Sequence, residues 1–284
     1  MSQERHDAEP AQTIHGGSPT RRVRARDLLA AKHRGQRWAM LTSYDQYTAR
    51  IFDEARIPVL LVGDSAANNV FGHTSTVPIT VEELLPLVRA VVGATAQAMV
   101  VADLPFGSYE EGPTQALRTA VQFMKTTGAS GVKLEGGRRF VPQIEAITNA
   151  GIPVMAHVGF TPQREHTIGG HLVQGRGETG QGVVDDALAV AEAGAFAVVL
   201  EMVVEQVAAR ITREVRIPTI GIGAGPGTDA QVLVWQDMAG LRTGRMPRFV
   251  KRYAEVAGVL SDAATRFAEE VRGGVFPAEE HTFQ

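Results

Sequence analysis

The chain has 284 residues, 44% hydrophobic and 21% charged, enough apolar material for a sizeable core without disulfides or zinc. A formal net charge of −3, with no run of five or six consecutive like charges, argues against nucleic acid or an anionic membrane as the main partner and points to small molecules. The absence of cysteine excludes thiol catalysis, disulfides and thiolate metal sites, so any metal must sit on oxygen or imidazole.

Residues 1–22 are polar, carry Gly16-Gly17-Ser18-Pro19 and show no periodicity, so they read as a disordered lead-in to one catalytic domain over residues 23–284. No apolar stretch reaches the ~18 residues of a membrane span. The N-terminus also lacks the basic-then-apolar order of a signal peptide, and a cytoplasmic location is expected. From Arg37 onward, short apolar runs alternate with helical patterns. The expected strands are Trp38 to Leu41, Val59 to Val62, Ala98 to Ala102, Gly131 to Leu134, Pro153 to Val158, Ala197 to Leu200, Pro218 to Ile222 and Val232 to Trp235. Apolar spacings of three and four between them predict helices over Val81 to Val92, Pro113 to Thr126, Phe140 to Asn149, Val183 to Ala193 and Val204 to Glu214, with a final helix and tail after about Arg252. The phrase Ile-Pro recurs at Ile57-Pro58, Ile152-Pro153 and Ile217-Pro218, where proline ends a helix and sets an extended start. Eight strands with crossover helices imply a single-domain α/β fold, a closed (β/α)8 TIM barrel; a doubly wound open sheet is the competing architecture.

Active sites of such barrels lie at the C-terminal ends of the strands, so the residue closing each run matters most. Strand two closes on Asp64 and Ser65, strand three on Asp103, strand four on Lys133 and Glu135, strand five on His157 and strand six on Glu201. A lone strand-end carboxylate is commonly a helix N-cap, but three on consecutive strands reach a common point, where their mutual repulsion calls for a hard cation on oxygen ligands. Asp64, Asp103 and Glu135 are therefore the expected metal ligands, with magnesium the natural ion. Lys133 shares a strand face with Glu135 and reads as an internal salt bridge, an anchor for a substrate carboxylate, or a Schiff-base nucleophile. His157 reads as a core histidine, a neighbour of the metal, or an acid-base partner. Glu201 stands apart at the end of an apolar run, a setting that favours the protonated carboxyl and so suits a general base for a carbon acid; an N-cap is its alternative.

Two glycine-rich segments remain. Gly221-Ile-Gly223-Ala-Gly225-Pro-Gly227 follows strand seven, where a phosphate cradle or a tight turn would fit. The long loop from Gly159 to Gly182 has the length of a lid or binding loop. A cation, a carboxylate anchor and a lone base together describe proton abstraction beside a carbonyl, with the metal holding the enolate that attacks an electrophilic carbon.

From about Met40 to the C-terminus the chain resembles the ketopantoate hydroxymethyltransferase family. The resemblance rests on the order and spacing of Leu41-Thr-Ser-Tyr-Asp45, Val62-Gly-Asp-Ser65, Gly72-His73, Ala102-Asp-Leu-Pro-Phe106, Val132-Lys-Leu-Glu-Gly-Gly137, Gly159-Phe-Thr-Pro-Gln163, Val173-Gln-Gly-Arg176, Gly221-Ile-Gly-Ala-Gly225, and Phe276-Pro277 with Glu280-His281. It implies a magnesium-dependent barrel, one ion per subunit, that transfers a hydroxymethyl group from 5,10-methylenetetrahydrofolate to 3-methyl-2-oxobutanoate, giving 2-dehydropantoate and tetrahydrofolate for pantothenate biosynthesis. By motif, Asp64, Asp103 and Glu135 take the metal, Asp64, Ser65, Asp103 and Lys133 hold the keto acid, and Glu201 is the base. It also implies a homo-oligomer, a decamer of two five-membered rings. The chain departs from the family's usual wording at Ala66-Ala67-Asn68-Asn69, Thr74 and His171-Leu172, which flank the site, and no residue is assigned to the folate. Rival readings are a lyase or mutase of the phosphoenolpyruvate mutase and isocitrate lyase type, whose lid cysteine this chain lacks, a Schiff-base aldolase using Lys133, and a non-catalytic binding protein on a barrel fold.

Overall fold

The computed structural model describes Ile14 and residues 21–283. Eight parallel strands follow one another around a closed barrel in sequence order: β1 (Trp38–Thr42), β2 (Val59–Val62), β3 (Met99–Asp103), β4 (Gly131–Glu135), β5 (Val154–Gly159), β6 (Ala197–Glu201), β7 (Thr219–Ile222) and β8 (Ala230–Leu233). Closure excludes the open doubly wound sheet. Strands β2 to β4 are buried along their whole length, as strands covered by side chains on one face and helices on the other must be. A cluster of Trp38, Met40, Val59, Leu61, Met99, Val101, Met155, Ala197, Val199, Ile220, Ala230 and Val232 fills the interior in successive levels toward the strand starts. The barrel is thus packed rather than hollow, and chemistry is confined to its far mouth.

The expected eighth strand, Val232 to Trp235, lies two residues further along the chain than the observed one. Asp229 accepts from the Thr219 N–H at 2.9 Å and from its hydroxyl at 3.1 Å, which pins the start of β8 against β7. Exposed Gln231 then interrupts the apolar run while Ala230 and Val232 face in, and Trp235 opens a short helix, Trp235–Met238.

The helices between strands form where the apolar spacing predicts, and their ends follow local chemistry. The helix Val81–Ala94 starts in a capping box in which Thr80 and Glu83 each bond the other's backbone N–H. The helix Pro113–Thr127 stops at Gly128, whose left-handed φ of 76° a side chain would resist. Two further helices of nine residues each, besides short four-residue ones, escaped the periodicity. Gln46–Glu54 is capped by the Asp45 carboxylate, which accepts from the N–H groups of Tyr47 and Thr48. Ala25–His33 lies across the closed end of the barrel, with Leu28 and Ala31 in the interior cluster and Lys32 reaching the Asp229 carboxylate at 2.8 Å.

The expected lead-in of residues 1–22 lies outside the described residues except for Ile14, Arg21 and Arg22. Arg21 makes a two-pronged pair with Asp27, and Arg22 donates to the Ala98 carbonyl at 2.6 Å. The chain divides into two compact units, residues 1–232 and 233–284. The second contains the 17-residue helix Val256–Arg272, where the expected final helix falls, and an edge-to-face contact of Phe267 on Phe276.

Candidate active site

Parallel register sets the candidate residues on levels. Asp103 pairs with Lys133 across β3 and β4, Glu135 with His157 across β4 and β5, and Gly159 with Glu201 across β5 and β6. Side chains at paired positions point to the same face, so these levels bring the strand-end groups together at one mouth.

Asp64, Asp103 and Glu135 converge there, each offering a carboxylate oxygen within 4.8 Å of the others, and all three are buried. None caps a helix. The helices that follow begin behind Ser65, Gly112 and Gly137 respectively, and the helix after β6 begins behind Val204, so Glu201 is no cap either. The alternative raised for every strand-end carboxylate is therefore set aside.

Lys133 projects into the same cluster, its Nζ 2.6 and 2.8 Å from the two oxygens of Asp103 and 3.4 Å from Glu135. Burial disfavours its charge, but the surrounding carboxylates outweigh that and hold the ammonium protonated beyond its ordinary range. This is the internal salt bridge foreseen as one reading, and it disfavours the Schiff-base reading, because a nucleophilic lysine must shed its proton. Glu135 shows the reverse balance. Burial pushes its carboxyl up, yet Lys133 and His157 together bring it down to about 2.

Asp64 receives too little relief to offset its burial. Burial, then the charges of Asp103 and Glu135, raise its carboxyl well above the usual carboxylate range, and burial raises Asp103 as well. The repulsion among the three carboxylates that raises Asp64 is what a divalent cation on oxygen ligands would relieve, so the donor set fits a hard ion such as magnesium or manganese.

His157 stands between this cluster and Glu201. Its Nδ1 is 3.2 Å from Glu135 and its Nε2 3.3 Å from Glu201 Oε2, close enough to attract although off the line of a good hydrogen bond. Burial opposes its charge, but Glu135 dominates and raises the imidazole to about 9. Glu201 is the one member of the group with solvent access, its side chain 17% exposed. Ser65 lies next to Asp64 with its hydroxyl 2.8 Å from the buried Tyr44 hydroxyl, whose own ionisation burial pushes up to about 12.

The glycine segment after β7 is filled by the chain itself. A side chain on Gly221 would strike Thr228 and Gln231, and one on Gly225 would strike Glu205, whose carboxylate is a poor neighbour for phosphate. The tight-turn reading fits; the cradle does not. The loop after β5 carries a turn at Pro162–Arg164, a short helix at Glu165–Ile168 and exposed Leu172 and Val173, and returns through a bridge from Gln174 to Val203.

Sequence reasoning assigned no role to two buried residues of the mouth, Tyr109 and Gln163. Gln163 donates from its side chain to Asp64 and from its backbone to Glu135, both at 3.0 Å. The signal was present, since Gln163 closes a quoted motif directly after β5, but an amide does not stand out where carboxylates are being counted.

Residues 22–279 match the family described as ketopantoate hydroxymethyltransferase. A protein of Saccharopolyspora erythraea named 3-methyl-2-oxobutanoate hydroxymethyltransferase is 66% identical over 95% of this chain and 92% of its own length. One of the same name from Leifsonia xyli subsp. xyli is 62% identical over 96% and 99%. The chain belongs to the ketopantoate hydroxymethyltransferase family. It is a hydroxymethyltransferase, and the buried triad of carboxylates fits the metal dependence expected of it. Among solved structures, a phosphonopyruvate hydrolase aligns over 92% of each chain with a TM-score of 0.60 at 16% identity, and 2,3-dimethylmalate lyase over 91% of each with 0.58 at 16%. At that identity the likeness is one of fold.

Proposed function

We propose that this chain transfers a hydroxymethyl group from 5,10-methylenetetrahydrofolate, with water, to 3-methyl-2-oxobutanoate, giving 2-dehydropantoate and tetrahydrofolate in pantothenate synthesis. The observation that carries the proposal is the asymmetry of the mouth: a buried carboxylate triad with Lys133 on β2 to β4, and Glu201 standing apart on β6 with access to solvent.

Asp64, Asp103 and Glu135 would hold one magnesium ion per subunit. When bound, the ion supplies a Lewis acid that polarises the 2-oxo group and stabilises charge developing on its oxygen. Lys133, Ser65 and the two aspartates hold the keto acid, the ammonium of Lys133 facing its carboxylate. Glu201 removes the proton from the branched carbon, and His157, 3.3 Å from its Oε2, orients it. Water cleaves the two carbon–nitrogen bonds of the folate's methylene bridge, releasing tetrahydrofolate and leaving that carbon at the level of formaldehyde; the enolate carbon attacks it, and the new alkoxide takes up a proton to give the hydroxymethyl group. Burial of Asp64, Asp103, Lys133 and Glu135 keeps water from the charged cluster, which strengthens the interactions within it.

The test is a product assay with 3-methyl-2-oxobutanoate and methylenetetrahydrofolate, with and without magnesium. Formation of 2-dehydropantoate that disappears on chelation is expected, and product formation unchanged by a chelator would refute the metal role. The family resemblance supports a homo-oligomer, a decamer, and the exposed apolar side chains Val259, Leu260, Phe267 and Val271 on the long C-terminal helix support association without fixing its number. Light scattering that returns a monomer mass would refute it.

A further inference from the structure

Gln163 and Tyr109 hold the carboxylate cluster from outside. Both are nearly inaccessible, at 4% and 1% exposure. The Gln163 side-chain amide donates one proton to Asp64 Oδ2 and the other to the Leu104 carbonyl, each at 3.0 Å. Its Oε1 accepts from the Tyr109 hydroxyl at 2.6 Å, and its backbone N–H donates to Glu135 Oε2 at 3.0 Å. The Tyr109 hydroxyl in turn accepts from the Glu135 N–H at 3.3 Å, and its ring packs edge-on against Phe140. One residue therefore ties the segment just after β2, which carries Asp64, to the end of the non-adjacent strand β4, which carries Glu135.

The orientation of that amide is settled by its partners. Turning it over would set Oε1 against the Leu104 carbonyl, two acceptors with no proton between them, and would turn the amide donors toward the Tyr109 hydroxyl. The turn Pro162–Arg164 places the residue, since it follows β5 at once and leaves the backbone N–H of Gln163 aimed across the mouth.

We infer that Gln163 is a positioning residue for the divalent cation: it sets the separation and facing of Asp64 and Glu135, with Tyr109 locking its amide in place. The inference rests on the metal reading above. Groups of this kind fix where ligand oxygens point before the ion arrives, and their loss weakens metal binding about ten- to a hundredfold.

Full-length wild type, Gln163→Met, Tyr109→Phe and Asp64→Ala are titrated with magnesium by calorimetry and with manganese by electron paramagnetic resonance. Gln163→Met keeps the size of the side chain and loses its amide. It is expected to bind either ion about ten- to a hundredfold more weakly than wild type, and Tyr109→Phe more weakly by a smaller factor. In turnover, both variants are expected to need more magnesium for half the maximal rate while saturating magnesium restores kcat to near the wild-type value. A role in packing alone would lower kcat at every magnesium concentration, and that result overturns the inference. Wild-type affinity in Gln163→Met with lost affinity in Asp64→Ala also overturns it and leaves the metal reading standing. No binding by the wild type overturns both. If Gln163→Met does not fold, Tyr109→Phe decides by the same readings.

Discussion

At the scale of single residues, the division of labour among the acidic groups follows from their neighbours. Glu135 faces Lys133 and His157, which outweigh its burial and favour its ionised form, whereas burial and then the charges of Asp103 and Glu135 raise Asp64 above the usual carboxylate range. Glu201 is separated from Glu135 by the imidazole of His157, which keeps a base from merging with the ligand cluster. Gly159 permits this closeness. With φ at 94°, any Cβ there would fall well inside contact distance of the Glu201 carbonyl oxygen and would also strike Val203. The Glu201→Gln variant is expected to fold and bind 3-methyl-2-oxobutanoate but to lose exchange of the branched-carbon proton by roughly 10²-fold or more, the usual contribution of a general base. Proton NMR of the keto acid in deuterated buffer reads this directly, and an unchanged exchange rate would remove Glu201 from that role.

At the scale of elements, the strand ends were legible because apolar runs that stop on a polar residue are a local signal. The five helices between strands were legible from apolar spacings of three and four, and their ends shifted by a few residues: a tight turn at Gly177–Thr179 runs into one helix that opens at Gly180 rather than Val183, and Gly128 closes another. Ala25–His33 was not legible. Its first turns are charged and its apolar face is short, and it is a helix because the barrel end offers Leu28 and Ala31 a place to bury. Leu28 is fully buried, so Leu28→Ala is expected to cost about 3 kcal/mol. Urea denaturation measures that loss. Activity per folded molecule should be unchanged, because this helix packs at the strand starts and the chemistry lies at the strand ends. A loss of specific activity at full folding would show that the two ends are coupled.

For the molecule as a whole, burying three carboxylates beside one lysine costs folding free energy that a bound cation returns. Magnesium at about 100 times its dissociation constant is expected to add about 2.7 kcal/mol of stability by mass action. For a chain of this size that corresponds to a rise in Tm of roughly 4–5 °C. Calorimetric scans should show the rise in wild type and its absence in Asp64→Ala; an equal rise in both would place the ion elsewhere.

The sequence by itself determined the number and order of the strands, the barrel, and the identity of Asp64, Asp103, Lys133, Glu135 and Glu201 as the residues to watch. It could do so because a parallel barrel needs only repeated local patterns, and its strand ends are predictable places. Only the tertiary structure decided how those residues pair. That Lys133 takes both oxygens of Asp103, that His157 lies between Glu135 and Glu201, and that Gln163 spans from Asp64 to Glu135 depend on strand register and on one turn after β5. Distances of about 3 Å between residues up to 99 positions apart leave no periodicity in the chain, because they are set by how the barrel closes and not by any local preference.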